Sequence, residues 1–115
     1  MVRDTRRISW IKAALKDFEA FPEGPRMTVL SALTIISAGG TPDVAKPLTG
    51  LGPGVWELAI RERGDAWRVV YALRIDTDIW VLHAFQKKSH RGIATPRPDI
   101  DRVRERIKRL RTLLS

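Results

Sequence analysis

Apolar and polar positions change period several times along the chain, and each change marks an element. RRISWI, Arg6 to Ile11, predicts a short strand that runs straight into a helix. Ile11, Ala14, Leu15 and Phe18 then recur at spacings of three and four, one face of a helix. Phe21-Pro22-Glu23-Gly24-Pro25 interrupts it, because proline has no N–H to donate and restricts the residue before it. A second helix is expected from about Pro25 to Ala38. Met27, Leu30, Leu33 and Ile36 would face inward, and Gly39-Gly40 would stop it. Two successive helices with so short a break predict a helical hairpin.

From Thr41 to Gly54 the pattern lapses into a Gly- and Pro-rich loop. Its LTGLGPG piece has alternate glycines, but neither a following helix nor a Gly-Lys-Ser/Thr, so a turn into a strand is expected rather than a phosphate cradle. The period then becomes two. Val55 to Arg63 places Trp56, Leu58 and Ile60 on one face and Glu57, Ala59, Arg61 and Arg63 on the other. Gly64-Asp65 turns the chain, and Ala66 to Ile75 alternates again, Trp67, Val69, Tyr71 and Leu73 against Arg68, Val70, Ala72 and Arg74. Asp76-Thr77-Asp78 is read as turn chemistry, although a D-x-D pair can also hold a metal. Ile79 to Lys87 is apolar on both faces, as suits a central strand. If Trp80 and Leu82 join the inward set, His83, Phe85 and Lys87 lie on the outer face.

After Pro96 to Pro98 a last helix is expected, with Asp99 as its N-terminal cap. Ile100, Val103, Ile107, Leu110 and Leu114 form its apolar stripe. Arg102, Arg104, Arg106, Lys108, Arg109 and Arg111 form a solvated basic back. The order β-α-α-β-β-β-α describes an α+β domain: a twisted antiparallel sheet, a helical hairpin packed on one face, and a C-terminal helix. A chain of 115 residues is expected to be one domain, 1–115.

Charge sharpens this picture. The net charge is +8 and the pI about 10.8. Residues 1–60 hold seven basic and six acidic side chains, residues 61–115 fourteen and seven. A one-sided positive field attracts nucleic acid or an acidic protein. The absence of cysteine removes disulfides, thiolate metal sites and a cysteine nucleophile. No apolar run approaches the roughly 20 residues of a membrane span, and MVRDTRRIS has no signal-peptide core, so a cytoplasmic protein is expected. The strand Ile79 to Lys87 ends in a knot of cations, Lys87, Lys88, His90 and Arg91, with no acid among them.

Five pieces in order carry a family resemblance: W-x4-LKDFEAFPE from Trp10, AKPLTGLGPGVWEL, WRVVYAL, VLHAFQKKS and PRPDIDRVRERI. Together they span nearly the whole chain, which resembles the RelE/ParE superfamily of bacterial toxins, in particular its phage-derived HigB-like branch. The resemblance implies a toxin neutralised by a cognate antitoxin, often one with a helix-turn-helix DNA-binding domain. RelE-like members cut mRNA on the ribosome without metal or other cofactor. The substrate's own 2′-OH attacks the scissile phosphate, leaving a 2′,3′-cyclic phosphate and a 5′-hydroxyl. The protein must then move two protons and stabilise negative charge on phosphorus.

Arg61, Arg68 and Lys87 are the candidates for that charge, gathered by strand alternation on one face, with Lys88 and His90 at its rim. The resemblance implies an arginine near the strand end at Arg61, a phosphate contact at Arg68, and a basic cluster at Lys87 and Lys88. Arg68 could equally pair across strands with Glu57. His90, with an ordinary pKa near neutrality, is a candidate general acid or base. Arg63, His83, Phe85, Lys88 and Arg91 are candidate RNA contacts, Phe85 by stacking on a base. His83 and Phe85 also read as structural residues. Many RelE-like nucleases carry a tyrosine shortly after the basic cluster; SHRGIATPRPDID has none, and Tyr71 is the chain's only one. The general base is therefore open between His90 and a lysine whose pKa neighbouring cations depress. A ParE-like gyrase inhibitor and a non-toxic nucleic-acid-binding module of phage origin remain the alternatives.

Overall fold

The computed structural model describes residues 5–87 and 94–115. Lys88, His90 and Arg91 lie outside the described residues. The elements are β1 (Ile8–Trp10), α1 (Lys12–Glu19), α2 (Glu23–Ser37), β2 (Ala45–Pro47), β3 (Val55–Glu62), β4 (Asp65–Ala72), β5 (Ile79–Lys87) and α3 (Arg97–Leu114). The α+β class, the hairpin and the closing helix are those the pattern predicts. Among the described residues the sheet has five strands in the order β1-β5-β4-β3-β2 and is mixed: β1 pairs parallel with β5, and the other pairings are antiparallel. The added strand, β2, is three residues long, follows Pro42 closely and ends on Pro47, so no alternation can reveal it.

The sheet is sandwiched. On one face α1 and α2 lay Ala14, Phe18, Val29, Leu33 and Ile36 against Leu58, Val69, Tyr71 and Val81. Phe18 and Phe21 bridge Trp10 to Trp67 through ring contacts of 4.9, 5.6 and 4.9 Å. On the other face Val103, Ile107 and Leu110 of α3 cover Val55, Val70, Ala72 and Leu82. Burying each of the Val, Leu, Ile and Phe side chains among them stabilises by about 1.5–3 kcal/mol. Arg6 is spent internally: its guanidinium donates to the carbonyls of Leu73, Thr77 and Asp78 and so holds the β4–β5 turn against the start of β1. Asp78 of the D-x-D turn accepts from the Ser9 hydroxyl at 2.6 Å and tightens the same joint.

Several sequence expectations are corrected. In α2 the inward residues are Pro25, Val29, Ala32, Leu33 and Ile36, while Met27 and Leu30 are 55% and 43% exposed. The helix starts two residues earlier than expected, and alanine and proline supply part of a stripe sought among larger residues. At the start of α3, Pro96 occupies the cap position with no side-chain hydrogen bond, and Asp99 lies in the first turn with its carboxylate turned to His83. Trp80 and Leu82 face α3, not the hairpin. A β-bulge explains why His83, Phe85 and Lys87 nevertheless share the α3 side. Val70 pairs with His83 and Tyr71 with Val81, so Leu82 is the extra residue and the side-chain parity flips there. The three glycines of LTGLGPG adopt φ of 90°, 98° and 77°, the left-handed region, and serve as turn residues leading into β3.

Candidate active site

α3 covers only part of its face of the sheet. Toward the β3–β4 turn the cations collect, Arg61 exposed and Arg68 and Lys87 nearly buried. Register sets them in rows. Arg61, Ala66 and Lys87 form one row across β3, β4 and β5; Ala59, Arg68 and Phe85 form the next; Lys46, Glu57, Val70 and His83 form the third. Ala59 and Ala66 are too short to fill the space between their long neighbours. The result is a hollow of about 170 Å³ lined by Lys46, Ala59, Ile60, Arg61, Ala66 and Arg68. A second concavity of about 340 Å³ lies between β2 and the start of α3, bordered by Lys46, Glu57 and Thr95.

Glu57 is the anchor of this region. Its side chain is wholly buried, which for a carboxylate is tolerable only with dedicated partners. Arg68 Nη1 lies 2.6 Å from Oε1, Lys46 Nζ lies 3.7 Å from the same oxygen, and the Thr95 hydroxyl donates to Oε2 at 2.5 Å. The carboxylate thus fixes one guanidinium, orients one ammonium, and ties the chain just before α3 to the middle of the sheet. Arg68 is itself 5% exposed. The cross-strand pair with Glu57 is formed, and Arg68 is a buried ion-pair member rather than an outward surface charge.

Lys87 is also nearly buried, at 6% exposure. Burial, and then the neighbouring Arg68 and Lys46 cations, push its ammonium below the ordinary value of 10.5, while Glu57 partly opposes them. Its neutral, proton-accepting form is correspondingly favoured. Arg61 is exposed at the lip of the hollow. Arg63 sits beyond it in the turn, exposed and with a left-handed φ of 51°. Tyr71 is packed in the hairpin core, and burial raises its pKa to about 12, so it supplies no proton chemistry to this face.

His83 and Phe85 go elsewhere. Their rings stack at 4.9 Å, and His83 is 2% exposed beneath α3. Arg106 Nη1 approaches His83 Nδ1 at 3.1 Å and also donates to the Leu82 carbonyl at 2.9 Å. A guanidinium can only donate, so Nδ1 must hold a lone pair, and the ring proton sits on Nε2, donating to Asp99 at 2.7 Å. His83 is therefore a neutral imidazole clasping both ends of an α3 segment, and Arg106 belongs to that clasp rather than to a solvated back.

The clasp predicts a pH dependence. Burial is the largest cause holding the His83 pKa below 6.5; Asp99 opposes it, and the Arg106 and Arg102 cations reinforce it. Between the depressed folded value and 6.5 the unfolded chain binds more protons, so stability rises with pH across that window. This contribution is fully present above about 6.5 and is lost as the pH falls toward the folded value. Thermal melts from pH 8 to pH 5 should show the loss, and His83→Gln should flatten it. A parent profile as flat as that of His83→Gln would contradict the tautomer assignment.

Sequence reading finds Arg61, Arg68 and Lys87 together, and the structure brings all three to one end of the sheet. It misses Lys46, Glu57 as an anchor, and Thr95. Lys46 lies on the unrecognised β2, and Thr95 reaches Glu57 across 38 positions of sequence. A signal for Glu57 does exist: it is the one acid in an otherwise apolar stretch of β3, opposite the face of Trp56 and Leu58.

The fold has known counterparts. The chain superposes on a double arginine-to-alanine mutant of the E. coli toxin RelE in the free state with a TM-score of 0.66. The two are 16% identical, over 90% of this chain and 98% of that one. The isolated E. coli RelE toxin matches with a TM-score of 0.57 and 19% identity, over 91% of this chain and 98% of that one. No curated protein matches in sequence. Residues 16–108 match the family described as phage-derived protein Gp49-like. With the second half of α1, all of α2, β2 to β5 and most of α3 inside that match, the chain belongs to the Gp49-like phage-derived family and has the RelE fold.

Proposed function

We propose that this protein is the toxin of a toxin–antitoxin pair and acts as a metal-independent endoribonuclease that cuts mRNA on the ribosome. The observation that carries the reading is the cationic hollow toward the β3–β4 turn, organised around one buried carboxylate. Arg61 and Arg68 would hold the non-bridging oxygens of the scissile phosphate and stabilise the charge that builds on phosphorus. Lys87, with its lowered pKa, would take the proton of the 2′-OH. His90 would return a proton to the departing 5′-oxygen. Arg63, Lys88 and Arg91 would extend the contact along the RNA backbone.

Glu57 does not fit the role of general base. With no exposed surface and both oxygens engaged, it cannot reach a substrate hydroxyl, whereas it does hold Arg68 in place. The +8 net charge supports affinity for a ribosomal substrate and for an acidic antitoxin segment lying over Arg61, Arg68 and Lys87. The expected antitoxin also carries a helix-turn-helix DNA-binding domain.

Induced expression in a bacterium without any partner should arrest growth, and truncation before β5 should relieve it. Mapping of mRNA 5′ ends should reveal new 5′-hydroxyl termini inside coding regions within minutes of induction. Normal growth at a high level of folded protein would contradict the toxin reading.

A further inference from the structure

Lys46 borders both the cationic hollow and the second concavity, so the two lie side by side across β2. Their walls differ. The hollow, about 170 Å³, is lined mainly by cations and short alanines. The second, about 340 Å³, is twice that size and within the range of small-molecule sites. Pro47 and Leu48 on one side and Ile100 on the other make its walls apolar, and Thr49 and Thr95 add hydroxyls. Leu48 and Ile100 are half-buried and packed on the α3-side core, which fixes their positions. Glu57 ties the two walls together: Oε2 accepts from Thr95 just before α3, and Oε1 holds Lys46 of β2. The Lys46 ammonium lies 3.7 Å from that oxygen, an ion pair longer than a hydrogen bond, and its side chain is 40% exposed. Its N–H groups therefore stay available to an incoming acceptor.

We propose that the second concavity is a nucleobase subsite, which takes the base of the RNA nucleotide joined to the phosphate in the hollow. The inference rests on the nuclease reading, which puts that phosphate between Arg61 and Arg68. A small cationic hollow, a lysine at the seam and a larger apolar slot beyond it repeat the order of groups along one nucleotide. The base would lie between Leu48 and Ile100, in van der Waals contact on both faces, with Pro47 at the rim. Lys46 would meet the phosphate from its β2 side. The Thr49 hydroxyl would reach the base edge; it can both donate and accept, so it excludes no base and the subsite positions the strand rather than reading its sequence. A base anchored there fixes the reacting 2′-OH relative to Lys87, which is a contribution of orientation. Continuity with the cationic hollow favours a nucleotide over a peptide as the occupant.

The test is an NMR titration of the full-length protein with a 2′-O-methyl RNA trinucleotide, which lacks the attacking hydroxyl and cannot be cut. The Leu48, Thr49 and Ile100 amides should shift together with those of Arg61 and Ala66 and saturate at the same concentration. Inorganic phosphate, and an abasic strand of equal length, should move Arg61 and Ala66 only. Leu48→Ala should weaken trinucleotide binding by about tenfold, the scale of losing one base contact, and leave phosphate binding unchanged. Thr49→Glu, at an exposed position where folding is not at stake, should weaken the trinucleotide at least as much. Shifts at Arg61 and Ala66 without Leu48, Thr49 and Ile100, or equal binding of the abasic strand, would overturn the subsite and leave the hollow as a phosphate site. Shifts at neither set would overturn the subsite together with the placement of the phosphate in the hollow. Saturation of Leu48 and Ile100 by a leucine-rich acidic peptide but not by the trinucleotide would assign the slot to a protein partner and overturn it too.

Discussion

Lys87→Ala should slow single-turnover mRNA cleavage by about 10²–10³, or roughly 3–4 kcal/mol, the size of losing one preorganised group at a developing charge. Lys87→Arg separates two roles. A fixed cation would be partly replaced by arginine, but a proton carrier would not, because arginine holds its proton at any workable pH. The lowered pKa of Lys87, set by burial and by the Arg68 and Lys46 cations, favours the second role, so Lys87→Arg should recover almost nothing. The pH profile follows with the same sign. A base must be deprotonated to act, so the rate should climb as pH rises and level off at a pH below 10.5, the ordinary lysine value. A rate independent of pH from 6 to 9 and restored by arginine would reassign Lys87 to charge stabilisation.

Arg68→Ala should lower stability by about 3–5 kcal/mol, because it strips the closest partner from a wholly buried carboxylate. Lys46 and Thr95 remain on Glu57, which places the loss toward the lower end of that range. An exposed charge would cost only about 0.5 kcal/mol, which is what strand alternation alone suggests for this arginine. Urea denaturation decides between them. Replacing both members, as in Glu57→Met with Arg68→Met, should recover much of the loss, since a buried pair exchanged for apolar residues is often nearly neutral. If the single variant melts with the parent, the pair does not contribute as its geometry implies. A consequence for enzymology is direct: lost activity in Arg68→Ala mixes a catalytic effect with a structural one, and Arg61, exposed and unburdened by packing, is the cleaner probe.

Much of the fold is legible because its signals are local. Alternation in Val55–Glu62 and Asp65–Ala72 defines two strands within a few residues of their true ends, and the spacing of Val103, Ile107 and Leu110 fixes the buried face of α3. What stays hidden depends on distant partners. β2 exists only because Ala45, Lys46 and Pro47 pair with Leu58, Glu57 and Trp56. β1 lies parallel to β5 across some seventy positions, which no short window can register. The candidate site divides the same way. Alternation places Arg61, Arg68 and Lys87 on one face, and the flip at Leu82 that keeps Lys87 there comes from a bulge without a sequence mark. Burial is the harder quantity: period two says which side Arg68 and His83 point to, but not that Glu57 or α3 awaits them there.

The most direct test of the account is single-turnover cleavage of mRNA on programmed ribosomes, in the presence of a metal-chelating control that leaves the ribosomes intact, with product ends analysed chemically. The parent should cut and leave 2′,3′-cyclic phosphate and 5′-hydroxyl ends. Arg61→Ala and Lys87→Ala should each fall by about 10²–10³, with Arg61→Ala melting like the parent, and Arg104→Ala on the solvent side of α3 should cut at the parent rate. Cleavage by Arg61→Ala and Lys87→Ala at the parent rate would show that this face is not the active site, and growth arrest with no RNA cleavage at all would move the protein to the gyrase-inhibiting reading.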